Sequence, residues 1–115
     1  MALDEKLEQP INKLIEELKK SDEYIEFEKY NKVIKQDPIL ANKIKRTREI
    51  RLELSRMSEY DRNGDYAERL ETEYDDLCDI TAIHKFSLAE LNFCNLYQKV
   101  LGKIVDSFDI DVRIL

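Results

Sequence analysis

Apolar residues recur at steps of three and four along most of this chain, the period of one face of an α-helix, and alternate with charged residues only at the very end. Ile11, Leu14, Ile15 and Leu18 make the first stripe. Pro10 precedes it, and a proline's fixed φ and missing N–H suit the first helical position, so a helix is predicted to begin there with residues 1–9 less ordered. Ser21-Asp22-Glu23 offers a capping oxygen followed by two acids for the positive end of a helix dipole. Tyr24, Phe27, Asn31 and Ile34, flanked by Tyr30 and Val33, then form an inner face.

Asp37-Pro38 is the clearest punctuation. Proline biases the residue before it away from helical geometry, which places Asp37 as a cap and Pro38 in the first turn of a new helix. From Ile39 to about Tyr60 no breaker interrupts the stripe of Leu40, Ile44, Thr47, Ile50, Leu54 and Met57. The stop follows at Asp61-Arg62-Asn63-Gly64, where Asn or Gly is expected in a left-handed conformation, and Asp65-x-x-Glu68 resembles a capping box. So short a connection predicts an antiparallel hairpin. Leu70, Tyr74 and Leu77 continue to a break near Asp79-Ile80-Thr81. The last helix carries Phe86, Glu90, Phe93, Tyr97, Val100, Ile104 and Phe108, widened by Ala89, Leu96, Leu101 and Val105. The alternating tail, residues 109–115, reads as extended and less ordered.

Composition supports the helical reading. The 115 residues include only two Gly and two Pro, where average usage would supply about 7% and 5%, so the turns that close a sheet are scarce. The expectation is one all-α domain, 1–115, of about five helices including a long antiparallel hairpin. Thin amphipathic helices bury little surface alone, so homo-oligomerisation is expected to complete the core.

Nineteen Lys and Arg against 25 Asp and Glu give a net charge of −6, which repels a phosphate backbone. The charges are uneven: Lys43, Lys45, Arg46, Arg48, Arg51 and Arg56 dominate one stretch, and the acids from Glu59 to Asp79 dominate the next. Antiparallel, these stretches can face each other, although solvated faces are the simpler expectation for exposed charges. No apolar run is long enough for a membrane span, and Met1-Ala2-Leu3-Asp4-Glu5-Lys6 is unlike a signal peptide, so a cytoplasmic location is expected. Cys78 and Cys94 suit a reducing compartment as buried core thiols.

Residues capable of catalysis are sparse. His84 is the single histidine, and Thr81 stands where a di-iron Glu-x-x-His motif would need its acid. Neither a nucleophile elbow, a glycine-rich phosphate loop nor a Cys-x-x-Cys pair is present, so neither an enzyme, a cofactor nor a metal is expected. Glu90 breaks the stripe between Phe86 and Phe93 and needs a donor or water. A polar contact fixing helix register explains it better than catalysis does. Tyrosines fall mainly on helix faces, as packing or interface residues.

Ser21-Asp22-Glu23-Tyr24, then Asp37-Pro38 opening a long charged helix, a short loop, and Phe86-x-x-Ala89-Glu90 followed by Val100 and Ile104-Val105, resembles the bacterial YlbF/YmcA family of small helical regulators over roughly residues 7 to 108. The chain departs from it at Ile80-Thr81, where members often carry Asn-Pro. The resemblance implies an all-helical homodimer or higher oligomer without known catalysis. Some relatives regulate competence, sporulation and biofilm formation and join a complex directing RNase Y to transcripts. Certain relatives are linked to iron–sulfur clusters, but two cysteines cannot hold a four-cysteine cluster without a second chain.

These readings converge on a cytoplasmic, non-enzymatic regulator or adaptor that binds itself and another regulatory protein. Phe86, Glu90, Phe93, Tyr97 and Ile104 are the expected self-association seam. Lys43, Lys45, Arg46, Arg48 and Arg51 are candidate partner-binding residues. An RNA-binding accessory using the basic 43–56 helix is the alternative, with direct nucleic-acid binding disfavoured by the net charge.

Overall fold

The computed structural model describes residues 2–108, so the tail expected to be extended lies outside the described residues. Among the described residues there are six helices and no strand: α1 Glu5–Lys19, α2 Asp22–Gln36, α3 Pro38–Ser55, α4 Glu59–Arg62, α5 Asp65–Cys78 and α6 Thr81–Asp106. The all-α expectation stands, with one helix more than the predicted five.

The extra helix comes from an early stop. α3 ends at Ser55 rather than near Tyr60, and the Ser58 hydroxyl accepts the Asp61 N–H at 3.2 Å, capping the four-residue α4. A serine side chain offers the backbone a local alternative to continuing the helix. α1, conversely, begins before Pro10, not at it. Asp4 caps it by accepting the Lys6 N–H at 2.9 Å, while Glu5 and Glu8 sit at the positive end of the dipole. Pro10 lies inside the helix, where it removes one backbone donor.

Other punctuation forms as the residues dictate. Ser21 Oγ accepts the Tyr24 N–H at 3.1 Å and donates to the Leu18 carbonyl, restarting the chain as α2. Asp37 accepts from the N–H groups of Ile39 and Leu40 at 3.0 and 3.3 Å, with Pro38 in the first turn of α3. The break near residues 79–81 is real: α5 stops at Cys78 and α6 starts at Thr81. Between α4 and α5 the expected left-handed residue does not occur, since no described residue has positive φ. Gly64 is instead extended, and a Cβ there would lie 3.3 Å from the Asp61 carbonyl oxygen, so close backbone approach explains the glycine. Gly64, not Asp65, occupies the cap position, and the capping box does not form.

The chain divides into two compact units, Lys29–Leu88 and the segments on either side of it. Within Lys29–Leu88, α3 packs on α5. Ile50, Leu54, Ala67 and Leu70 form the buried cluster there, with Met57, Tyr74 and Leu77 against it. Ile34, Ile44, Ile83 and Phe86 are buried too, and Thr47 satisfies its hydroxyl by donating to the Ile44 carbonyl. In the other unit Phe93 is the aromatic centre: its ring stacks on Phe27 at 5.8 Å and meets Tyr24 edge-on at 5.3 Å. α1, in that unit, buries none of its residues.

Candidate interaction surfaces

The two oppositely charged stretches meet within the chain. Arg46 Nε and Nη2 donate to the two carboxylate oxygens of Glu73 at 2.5 and 2.9 Å, a forked pair between α3 and α5. The guanidinium holds the Glu73 carboxyl below its ordinary value, and the carboxylate raises Arg46 further. Seven residues along α3, Glu53 accepts from the Tyr66 hydroxyl at 2.5 Å, which keeps that phenol protonated to higher pH than usual. As the α3 partner advances from 46 to 53 the α5 partner falls back from 73 to 66, so the hairpin is antiparallel as predicted. Solvated faces are therefore not the whole account of these charges. Of the candidate partner-binding residues, Arg46 is engaged with Glu73 and Glu49, Lys43 is half-buried, and Lys45, Arg48 and Arg51 are exposed. Their side chains do not gather on one edge of α3.

The residues expected at a self-association seam are placed unequally. Phe86 is buried inside Lys29–Leu88, Phe93 is half-buried in its aromatic contacts, and Glu90 is half-buried. Tyr97 and Ile104 are exposed, at 46% and 45%. The pattern did not single out the surrounding apolar exposure. Leu7, Ile11, Leu14 and Ile15 of α1 and Leu101 of α6 are open to solvent, as is Phe108 just beyond.

A second feature lies at the predicted stop, Asp61-Arg62-Asn63-Gly64, whose residues signal a turn and not a surface. Met57, Tyr60, Asp61, Asp65 and Tyr66 line a depression of about 470 Å³ at the turn between α3 and α5. The overlooked signal was a tyrosine on each side of a helix stop, Tyr60 and Tyr66, where a solvated turn has no need of large rings.

A family model described as "Control of competence regulator ComK, YlbF/YmcA" matches residues 7–108, nearly the whole chain. The chain belongs to the YlbF/YmcA family. No curated protein matches it. The description of the family is one of control over another regulator, so a YlbF/YmcA chain is read as a developmental regulator.

No helix among the described residues of this YlbF/YmcA protein is long and apolar enough to cross a membrane. No group of three or more His, Cys, Asp and Glu among them could hold a metal ion. Cys78 is half-buried beside Tyr74, whose phenol is pushed up first by burial and then by the thiol. Cys94 is exposed, which corrects the expectation of two core thiols: it is the next residue after Phe93, and one helical step of about 100° takes it off the direction in which Phe93 packs.

Proposed function

We propose that this YlbF/YmcA protein is a non-enzymatic cytoplasmic adaptor that works by protein–protein contact, associating with its own copies and with another regulatory protein. The processes it serves are those named for the family resemblance: competence, sporulation and biofilm formation, or RNase Y-dependent RNA processing. One observation carries this reading. α1 is amphipathic yet buries no residue, with Ile11 at 40% and Leu14 at 37% exposure. An isolated helix of this length is marginal in water, and covering one Leu or Ile side chain contributes about 1.5–3 kcal/mol. A helix whose apolar side is only partly covered in its own chain gains further stability from a partner, and a like copy brings the same face at the same concentration.

The proposed seam comprises this α1 stripe with Tyr97 and Ile104, bordered by Glu90, with Phe93 packed on Phe27 in the same unit; Phe86, buried within Lys29–Leu88, is left out of it. Light scattering after size exclusion tests it. Wild type is expected above the 13.7 kDa monomer mass, and the double variant Ile11→Asp/Ile104→Asp at that mass with its helical circular dichroism retained. A monomeric wild type at high concentration overturns self-association.

A further inference from the structure

The turn joining α3 to α5 carries a surface that the self-association seam does not use. Beside the depression lined by Met57, Tyr60 and Tyr66 lies a second, of about 440 Å³, to which Leu52, Glu53 and Arg56 contribute. The two share Met57 and Asp61, so they adjoin, and together they are treated as one groove. Large apolar side chains line it in the open: Tyr60 is 88% exposed, and Leu52 and Tyr66 are each 50% exposed. The Tyr66 ring is held in place by its hydroxyl's bond to Glu53, so this wall exists before anything binds.

The rim is acidic. Glu49, Glu53, Asp61 and Asp65 line the groove with Arg56; Glu49 pairs with Arg46 and Glu53 holds the Tyr66 hydroxyl, which leaves Asp61 and Asp65 to face a partner. Arg62, the other nearby guanidinium, is occupied elsewhere, donating to the Leu54 carbonyl at 3.3 Å and pairing with Glu71 at 3.6 Å. Neither Asp61 nor Asp65 is in an ion pair among the described residues. Open aromatic rings beside carboxylates bind a cationic side chain by its charge and by its stem. Two adjoining depressions accept two apolar anchors on one helix face.

We propose that this groove docks a basic amphipathic helix of another protein, with apolar anchors over Met57 and Tyr60 and Lys or Arg side chains against Asp61 and Asp65. A nucleic acid does not fit, because the rim repels phosphate. Nor does the same groove of a second copy, since a two-fold contact would set these carboxylates against themselves. The proposal rests on the reading of the chain as a protein-contact adaptor, but not on its self-association.

Fluorescence anisotropy with a labelled helical peptide tests it, the probe carrying Leu at three- and four-residue spacing and Lys or Arg elsewhere. A control peptide has Glu at every basic position. The basic peptide is expected to bind and the acidic one not to. Tyr60→Ala is expected to weaken binding about tenfold, as for a buried anchor, and Tyr60→Phe much less. Asp61→Asn/Asp65→Asn is expected to weaken binding and flatten its salt dependence. Circular dichroism of each variant confirms that the fold is kept. Absence of binding to wild type, or binding unchanged in Tyr60→Ala and in the Asn pair, overturns the proposal. A fall to monomer mass in Tyr60→Ala also overturns it, because the groove would then lie between copies. A monomeric wild type that still binds the peptide through Tyr60 leaves the groove intact and removes only the self-association.

Discussion

Isoleucine occurs at helical spacing in both units of the molecule, with opposite fates. In Lys29–Leu88, Ile50 and Ile83 are fully buried. In the flanking unit, Ile11 and Ile104 remain 40% and 45% exposed. Residue type and periodicity are the same, so neither explains the difference. In the first unit, the connection through α4 returns α5 along α3, and the stripe of Ile50 and Leu54 meets Ala67 and Leu70. α1 is followed by α2 after a serine-capped break, and none of its described residues becomes fully buried: Ile11, Leu14 and Ile15 keep about two-fifths of their surface open. An amphipathic pattern states which side of a helix seeks cover and leaves open what supplies it.

The strongest test of this contrast compares like substitutions. Ile50→Ala is expected to cost about 2–5 kcal/mol in urea unfolding, the transfer term plus the cavity. Ile104→Ala, measured where the protein is dilute and dissociated, is expected to change stability by less than about 0.5 kcal/mol. Equal costs would erase the distinction between the units.

Gly102 sharpens it on a smaller scale. A Cβ there meets nothing within 4 Å, so Gly102→Ala is expected to raise the melting temperature of the free chain through up to about 1 kcal/mol of helix propensity. If assembly is lost at the same time, a neighbouring helix backbone sits against this point and the seam runs past it.

The smallest expected effect concerns the charged side of the hairpin. Because Arg46 holds the Glu73 carboxyl below its ordinary value, ionised Glu73 stabilises the fold above the unfolded value of about 4.3. That contribution is lost as pH falls through the lower folded value. Wild type is thus expected to exceed Glu73→Gln slightly in urea midpoint at neutral pH, with the gap closing on acidification and shrinking in high salt. A gap that widens in acid would break the assignment of this pair.

Much of the fold was legible because its signals are local. Asp37-Pro38 reads as a cap and first turn since the carboxylate reaches donors two and three residues on. Leu40 to Met57 reads as one face because the helical period repeats within it. Three errors share another cause, namely competition between local options of similar energy. Pro10 could open a helix or be tolerated within one already capped by Asp4. Ser58 could continue α3 or cap α4. Gly64 could turn left-handed or lie extended against the Asp61 carbonyl, and only backbone approach decides that. The groove was invisible for a different reason. Leu52, Met57, Tyr60 and Tyr66 lie on separate elements and become one surface only when the chain has turned back.

By itself, then, the order of residues determined the helical class, the apolar face of each helix, the main breaks between them and the family. It showed opposite charges on successive helices but not their register. That Arg46 meets Glu73, 27 residues away, was decided by how far α5 slides along α3. Tertiary structure likewise chose which apolar stripes were covered. The division follows from range: hydrogen bonds of a helix close over four residues, whereas burial and ion pairing require a second surface whose position depends on every turn between.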